Sequence, residues 1–120
     1  MSGIVGTSHS KSKIIGRSLD TAKAWANFDY NTSGVFQGSS DYNVSSIGYN
    51  GEGNYDINFL KPIPLRYCVV GSAIGDVNYY TNVMTNASAN TTTQCQVLVR
   101  HNDSNENKES NSCSVLVFGE

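Results

Sequence analysis

An antiparallel all-β sandwich of roughly eight short strands, preceded by an extended N-terminal arm, is the fold this sequence predicts. Alternating runs recur along the chain, as in Tyr55, Ile57 and Phe59 against Asn54, Asp56 and Asn58. Clusters of Gly, Asn, Pro and Ser punctuate these runs, and no stretch keeps a helical period over a useful length. At 120 residues the chain is most economically one domain, long enough to bury about two-thirds of its unfolded surface.

Residues 1–20 read as the arm and residues 21–120 as a single sandwich domain. The arm is rich in Ser, Gly and Lys, with apolar pairs Ile4-Val5 and Ile14-Ile15 and cations at Lys11, Lys13 and Arg17. Chain ends stay mobile unless tied down, so these pairs are expected to dock the arm onto a sister subunit or a larger assembly. A solvated tail is the competing reading, and exposed cations contribute little in either case.

The next run, "KAWANFDY", reads as a strand, with Trp25 expected in the core beside Ala24, Ala26 and Phe28. "NTSG" then supplies a turn before the strand-like "VFQGSSDYNVSSIGY". A short loop at Asn50, Gly51, Glu52 and Gly53 joins this run to "NYDINFL" as a hairpin, since Asn-Gly tolerates positive φ. Pro62 and Pro64 remove ladder donors and stop the strand. "RYCVVGSAI" is apolar on both faces, as expected of a central strand, whereas "DVNYYTNVMT" is weaker and reads as an edge. The loop "NASANTTT" leads into the strand "QCQVLVRH", and the polar insert at residues 102–111 separates it from the closing "SCSVLVF".

The totals exclude several classes of function. A net charge of −2 and a pI near 5.6 give no basic footprint for nucleic acid or for a membrane surface. No apolar run approaches the roughly 20 residues that span a bilayer. The N-terminus lacks a signal-peptide core, so synthesis and folding in a cytosol are expected. Ser, Thr and Asn make up roughly a third of the residues and charged residues only 15%. Such a surface suits neutral partners or sugars better than electrostatic steering. The sequons at Asn31, Asn43, Asn86, Asn90 and Asn102 are expected to stay unmodified.

Cys68, Cys95 and Cys113 lie far apart in apolar runs, which predicts buried reduced thiols rather than a metal or redox site. Period two puts Cys95 on the face of Val97 and Val99, and Cys113 on that of Val115 and Val117. Catalysis needs convergent titratable groups. His9 lies in the arm and His101 at the mouth of the polar insert, while Asp29, Asp41, Glu52, Asp56 and Asp76 fall in turns or on polar strand faces. No phosphate-binding glycine loop, zinc-protease helix or calcium loop is present. No catalytic residue, metal or cofactor is therefore expected.

Several phrases carry a resemblance. The "AKAWANF" strand, the "YNVSSI" strand, the "NGEGNY" hairpin, "DINFLKPIP" and "YCVVGSA" resemble a domain of tail fibres and other structural proteins of bacteriophages, especially phages of marine bacteria and cyanobacteria. The likeness covers residues 18–74 well and the closing "CSVLVFGE" loosely, and leaves 75–112 unmatched. It implies an all-β domain, commonly homotrimeric, without enzymatic activity or cofactor. By the same resemblance the chain is expected in a virion, made in the host bacterial cytoplasm and held to capsid, neck or tail by its arm.

The leading expectation is thus a non-enzymatic virion structural protein that assembles with itself and with other virion proteins. Its assembly residues would be Ile4, Val5, Ile14, Ile15 and Arg17 in the arm, with Leu116 and Phe118 in the closing strand. That strand has two apolar faces, which fits either a threefold neighbour or a fully internal position. The alternative is a carbohydrate-binding module that contacts host glycans through Tyr79 and Tyr80. Asn102, Asn105 and Asn107 of the polar insert are candidates for the same contact, since loops on a rigid sheet carry recognition. A polysaccharide depolymerase is a third and weaker reading.

Overall fold

The computed structural model describes residues 21–30, 36–74, 81–109 and 111–119. Among them eight strands build two four-stranded antiparallel sheets that pack face to face, the sandwich the alternating runs predict. In chain order the strands are β1 (Ala22–Tyr30), β2 (Phe36–Tyr42), β3 (Val44–Gly51), β4 (Asn54–Phe59), β5 (Tyr67–Ile74), β6 (Thr81–Thr85), β7 (Gln94–His101) and β8 (Ser112–Gly119). Sheet 1 runs β2-β1-β8-β5 and sheet 2 runs β3-β4-β7-β6. A 3₁₀ turn at Ala87–Ala89 lies in the loop before β7. No helix of the described residues is long and apolar enough to cross a membrane.

The core follows from strand periodicity, because alternate side chains of the two central strands in each sheet point inward. From sheet 1 come Ala24, Ala26 and Phe28 of β1 with Cys113, Val115 and Val117 of β8. Sheet 2 answers with Tyr55, Ile57 and Phe59 of β4 and Cys95, Val97 and Val99 of β7. Two edge-to-face aromatic pairs join the layers: Phe28 with Tyr55 at 5.4 Å and Phe59 with Tyr67 at 5.8 Å between ring centres. At the sheet 1 edge the Tyr67 hydroxyl points to the carbonyls of Thr91 and Gln94, 2.8 Å from each, and ties β5 to the start of β7.

The hairpin of β3 and β4 forms as expected, with Ile47 opposite Ile57 and Tyr49 opposite Tyr55. Its turn needs glycine at Gly53, where φ is +63° and an added Cβ would meet the Val99 and Lys108 backbones at 2.5–2.7 Å. The run at 35–49 does not stay in one sheet. It breaks at Asn43, whose φ of 55° carries the chain from β2 in sheet 1 to β3 in sheet 2. The Asn43 amide donates to the carbonyls of Lys23 (3.0 Å) and Lys61 (3.2 Å), and its side-chain oxygen accepts from Lys61 N (2.7 Å).

Three expectations are corrected. Trp25 is not core, because its neighbours Ala24 and Ala26 take the inward positions and alternation turns Trp25 outward. β5 is not central but an edge of sheet 1, paired with β8 alone among the described strands. Cys68, on the outward register of that edge, is exposed, whereas Cys95 and Cys113 are buried as expected. β6 is an edge, as its weaker pattern predicts.

Candidate functional site

Outward side chains of sheet 1 fall into rows set by the ladder register. Tyr42 of β2 pairs with Trp25 of β1, Trp25 with Leu116 of β8, and Leu116 with Val70 of β5. All four point away from the core, so one apolar row crosses the whole sheet, about 15 Å from first strand to last. These residues are 54%, 37%, 38% and 49% exposed in that order. Phe118 and Cys68, paired across β8 and β5, extend the apolar area by one step of the pleat. In the other direction the next row is polar: Ser40, Asn27, Ser114 and Ser72, with the Asn27 amide donating to Ser114 Oγ at 2.7 Å.

The outward face of sheet 2 differs in chemistry. There the Gln96 amide donates to Asp56 Oδ1 (3.1 Å) and accepts from Asn86 (2.7 Å), while Asn58 donates to Ser46 (3.1 Å). Leu98 and Met84, opposite one another on β7 and β6, are its apolar members. These paired donors and acceptors suit contact with water, although the buried Asn54 Oδ1 on the same face has no hydrogen-bond partner. The outer face of sheet 2 is thus the more polar of the two.

The polar insert is held rather than dangling. Tyr49 and Tyr55 donate their hydroxyls to the two carboxylate oxygens of Glu109 at 2.5 and 2.8 Å, which also satisfies a hydroxyl on the buried Tyr55 ring. Arg100 Nε donates to Asn107 Oδ1 (3.2 Å) and Arg100 Nη1 to the exposed Asn105 Oδ1 (3.3 Å), so both residues are tied to the end of β7. Asn102 is exposed at the bend.

An open groove of about 600 Å³ lies at one end of the sandwich, lined by Ala22, Lys23, Tyr42, Asn43, Lys61 and Pro62 among others. Titratable groups do not converge: among the described residues no cluster of three or more His, Cys, Asp or Glu side chains could hold a metal. His101 Nδ1 has Ser104 Oγ at 3.3 Å on its own turn. Burial pushes the Cys95 thiol up to about 12, with the Asp56 carboxylate adding to the effect, and burial alone does the same for Cys113. Thiols held protonated are poor nucleophiles.

Of the residues the sequence singled out, the structure brings Leu116 and Phe118 together on the sheet 1 face. Ile4, Val5, Ile14, Ile15, Arg17, Tyr79 and Tyr80 lie outside the described residues. Sequence reasoning missed Trp25, Tyr42 and Val70 as surface partners of Leu116. For Trp25 a signal existed, since its strand-mates at period two are Asn27 and Asp29 while the opposite set is wholly apolar. Comparison with protein-family models, with curated proteins and with solved structures finds no match to this chain.

Proposed function

We propose that this protein is a non-enzymatic structural component of a bacteriophage virion, a β-sandwich that assembles with itself as a homotrimer and attaches through its N-terminal arm. One observation carries the assembling role: a charge-poor sandwich leaves an apolar row across one outer face and a largely hydrogen-bonded polar network across the other. Apolar side chains aligned across a whole sheet face are a surface that a partner would cover. The virion setting rests on the phrases shared with phage tail fibre domains.

Light scattering on the full chain and on a version lacking residues 1–20 tests the assembly. A trimer that survives the deletion places the threefold contact in the sandwich and leaves the arm for the virion. Monomers in both at working concentration overturn self-assembly. Mass spectrometry of purified particles tests the setting, and absence of the chain from them overturns it.

Glycan recognition is the second reading, favoured by Trp25 and Tyr42 standing side by side beside the Asn27 and Ser40 row. Aromatic faces with neighbouring amides and hydroxyls suit sugar rings. Reproducible binding on a glycan array, lost in Trp25→Ala and Tyr42→Ala, supports it; silence removes it.

A further inference from the structure

Resting on the assembly reading above, we infer that the outward face of sheet 1 is the surface through which copies of this chain meet, with the row Tyr42, Trp25, Leu116 and Val70 at its centre.

The occupant follows from charge, area and the contrast between faces. The outward positions of β5 and β8 carry no charge and the central polar row is built of hydroxyls and one amide, while Asp29 at one end of β1 brings a carboxylate to the rim of the same face. With charge confined to its rim the face offers little to steer an acidic or basic partner, whereas a second copy brings the same nearly neutral centre. A face four strands wide and eight residues long covers roughly 500 Å² in projection at a strand spacing of ~4.8 Å and a rise of ~3.3 Å. Two such faces reach the ~1,000 Å² at which specific interfaces begin, while the apolar row alone falls short of it. The contact must therefore use the polar row too, and Asn27, Ser40, Ser72 and Ser114 supply donors and acceptors to a neighbouring copy. Aromatic anchors are enriched at interface centres, where charged residues are depleted.

Cys68 reports on this contact without being part of the argument for it. It lies opposite Phe118 on the same face, so association shields its thiol, while Cys95 and Cys113 stay shielded whenever the sandwich is folded.

The test uses the full chain and three variants: Leu116→Lys and Val70→Lys on this face, and Met84→Lys on the outward face of sheet 2 as a control. Mass is read by light scattering, Cys68 alkylation by mass spectrometry, and folding by continued protection of Cys95 and Cys113. We expect the parent and Met84→Lys to associate, and both sheet 1 variants to fall to 13.0 kDa. Their association constant should drop by at least about 100-fold, because each contact would bury an unpaired ammonium. Cys68 alkylation should quicken in step. Folded sheet 1 variants that keep the parent mass overturn the surface assignment and leave self-assembly standing through another contact, as does a monomeric Met84→Lys. A parent that is monomeric throughout overturns self-assembly itself. Glycan binding by such a monomer, lost in Leu116→Lys, would give the face to a sugar instead.

Discussion

Asn43 joins conformation to bonding in one residue. Its positive φ costs a side-chain-bearing residue about 1–2 kcal/mol, less for Asn, and its amide offsets this by tying β1 to the segment after β4. We expect Asn43→Ala to lose about 3–5 kcal/mol in urea unfolding, three hydrogen bonds at ~1 kcal/mol each plus the strain. Asn43→Gly, which restores the conformation alone, should recover only part. Gly53→Ala should be at least as harmful as the strain term, since the new methyl meets two backbones as well as an unfavourable φ. Gly53 is legible in the sequence as a glycine of the hairpin turn, but the role of Asn43 is not. The Asn-Val step at 43 looks like any other in a strand-like run, and its function as a corner depends on carbonyls at Lys23 and Lys61 that only the fold brings near. Trp25 is the opposite case: residue type beside Ala and Phe points to the core, but its register with Asn27 and Asp29 points outward, and register decides.

At the scale of elements, the inward faces of β4, β7 and β8 were readable from period two, and the buried thiols of Cys95 and Cys113 came with them. β5 was misread for a reason intrinsic to the architecture. A strand apolar on both faces is the mark of a centre in a covered sheet, but a two-layer sandwich has no covered outer face. In such a fold the pattern "YCVV" or "SVLVF" leaves one apolar set turned outward wherever the strand lies. The insert between β7 and β8 is legible only as a loop, since Glu109 finds Tyr49 and Tyr55 across sequence distances that pattern cannot bridge. Glu109→Ala should cost about 1–3 kcal/mol by removing an acceptor from the buried Tyr55 hydroxyl. Hydrogen exchange should show the insert opening, with faster exchange at the amides of His101 and Lys108.

For the whole molecule the ionisable interior predicts an alkaline limit. Burial raises Cys95 and Cys113 from 9.0 to about 12, and burial together with the Cys95 thiolate raises Tyr67 from 10.0 to about 12. Each group ionises at lower pH unfolded than folded, so the stability they contribute is complete below pH 9 and is lost as the pH climbs from 9 to 12. Thermal melts across that window should show a falling midpoint. The Cys95→Ala, Cys113→Ala double variant should start lower at neutral pH, through the space left in the core, yet decline less steeply.

The strand order of sheet 1 has a bearing on how the chain is made. β8, the last of the described strands in chain order, is inserted between β1, the first of them, and β5. Until it emerges, sheet 1 consists of two separated halves, each with an unsatisfied ladder edge, and a nascent chain halted short of residue 112 would offer both to a neighbour on the same messenger. Sandwich closure is consequently a late event. Polysomes translating this message are where exchange of the closing strand between sister chains would compete with correct folding.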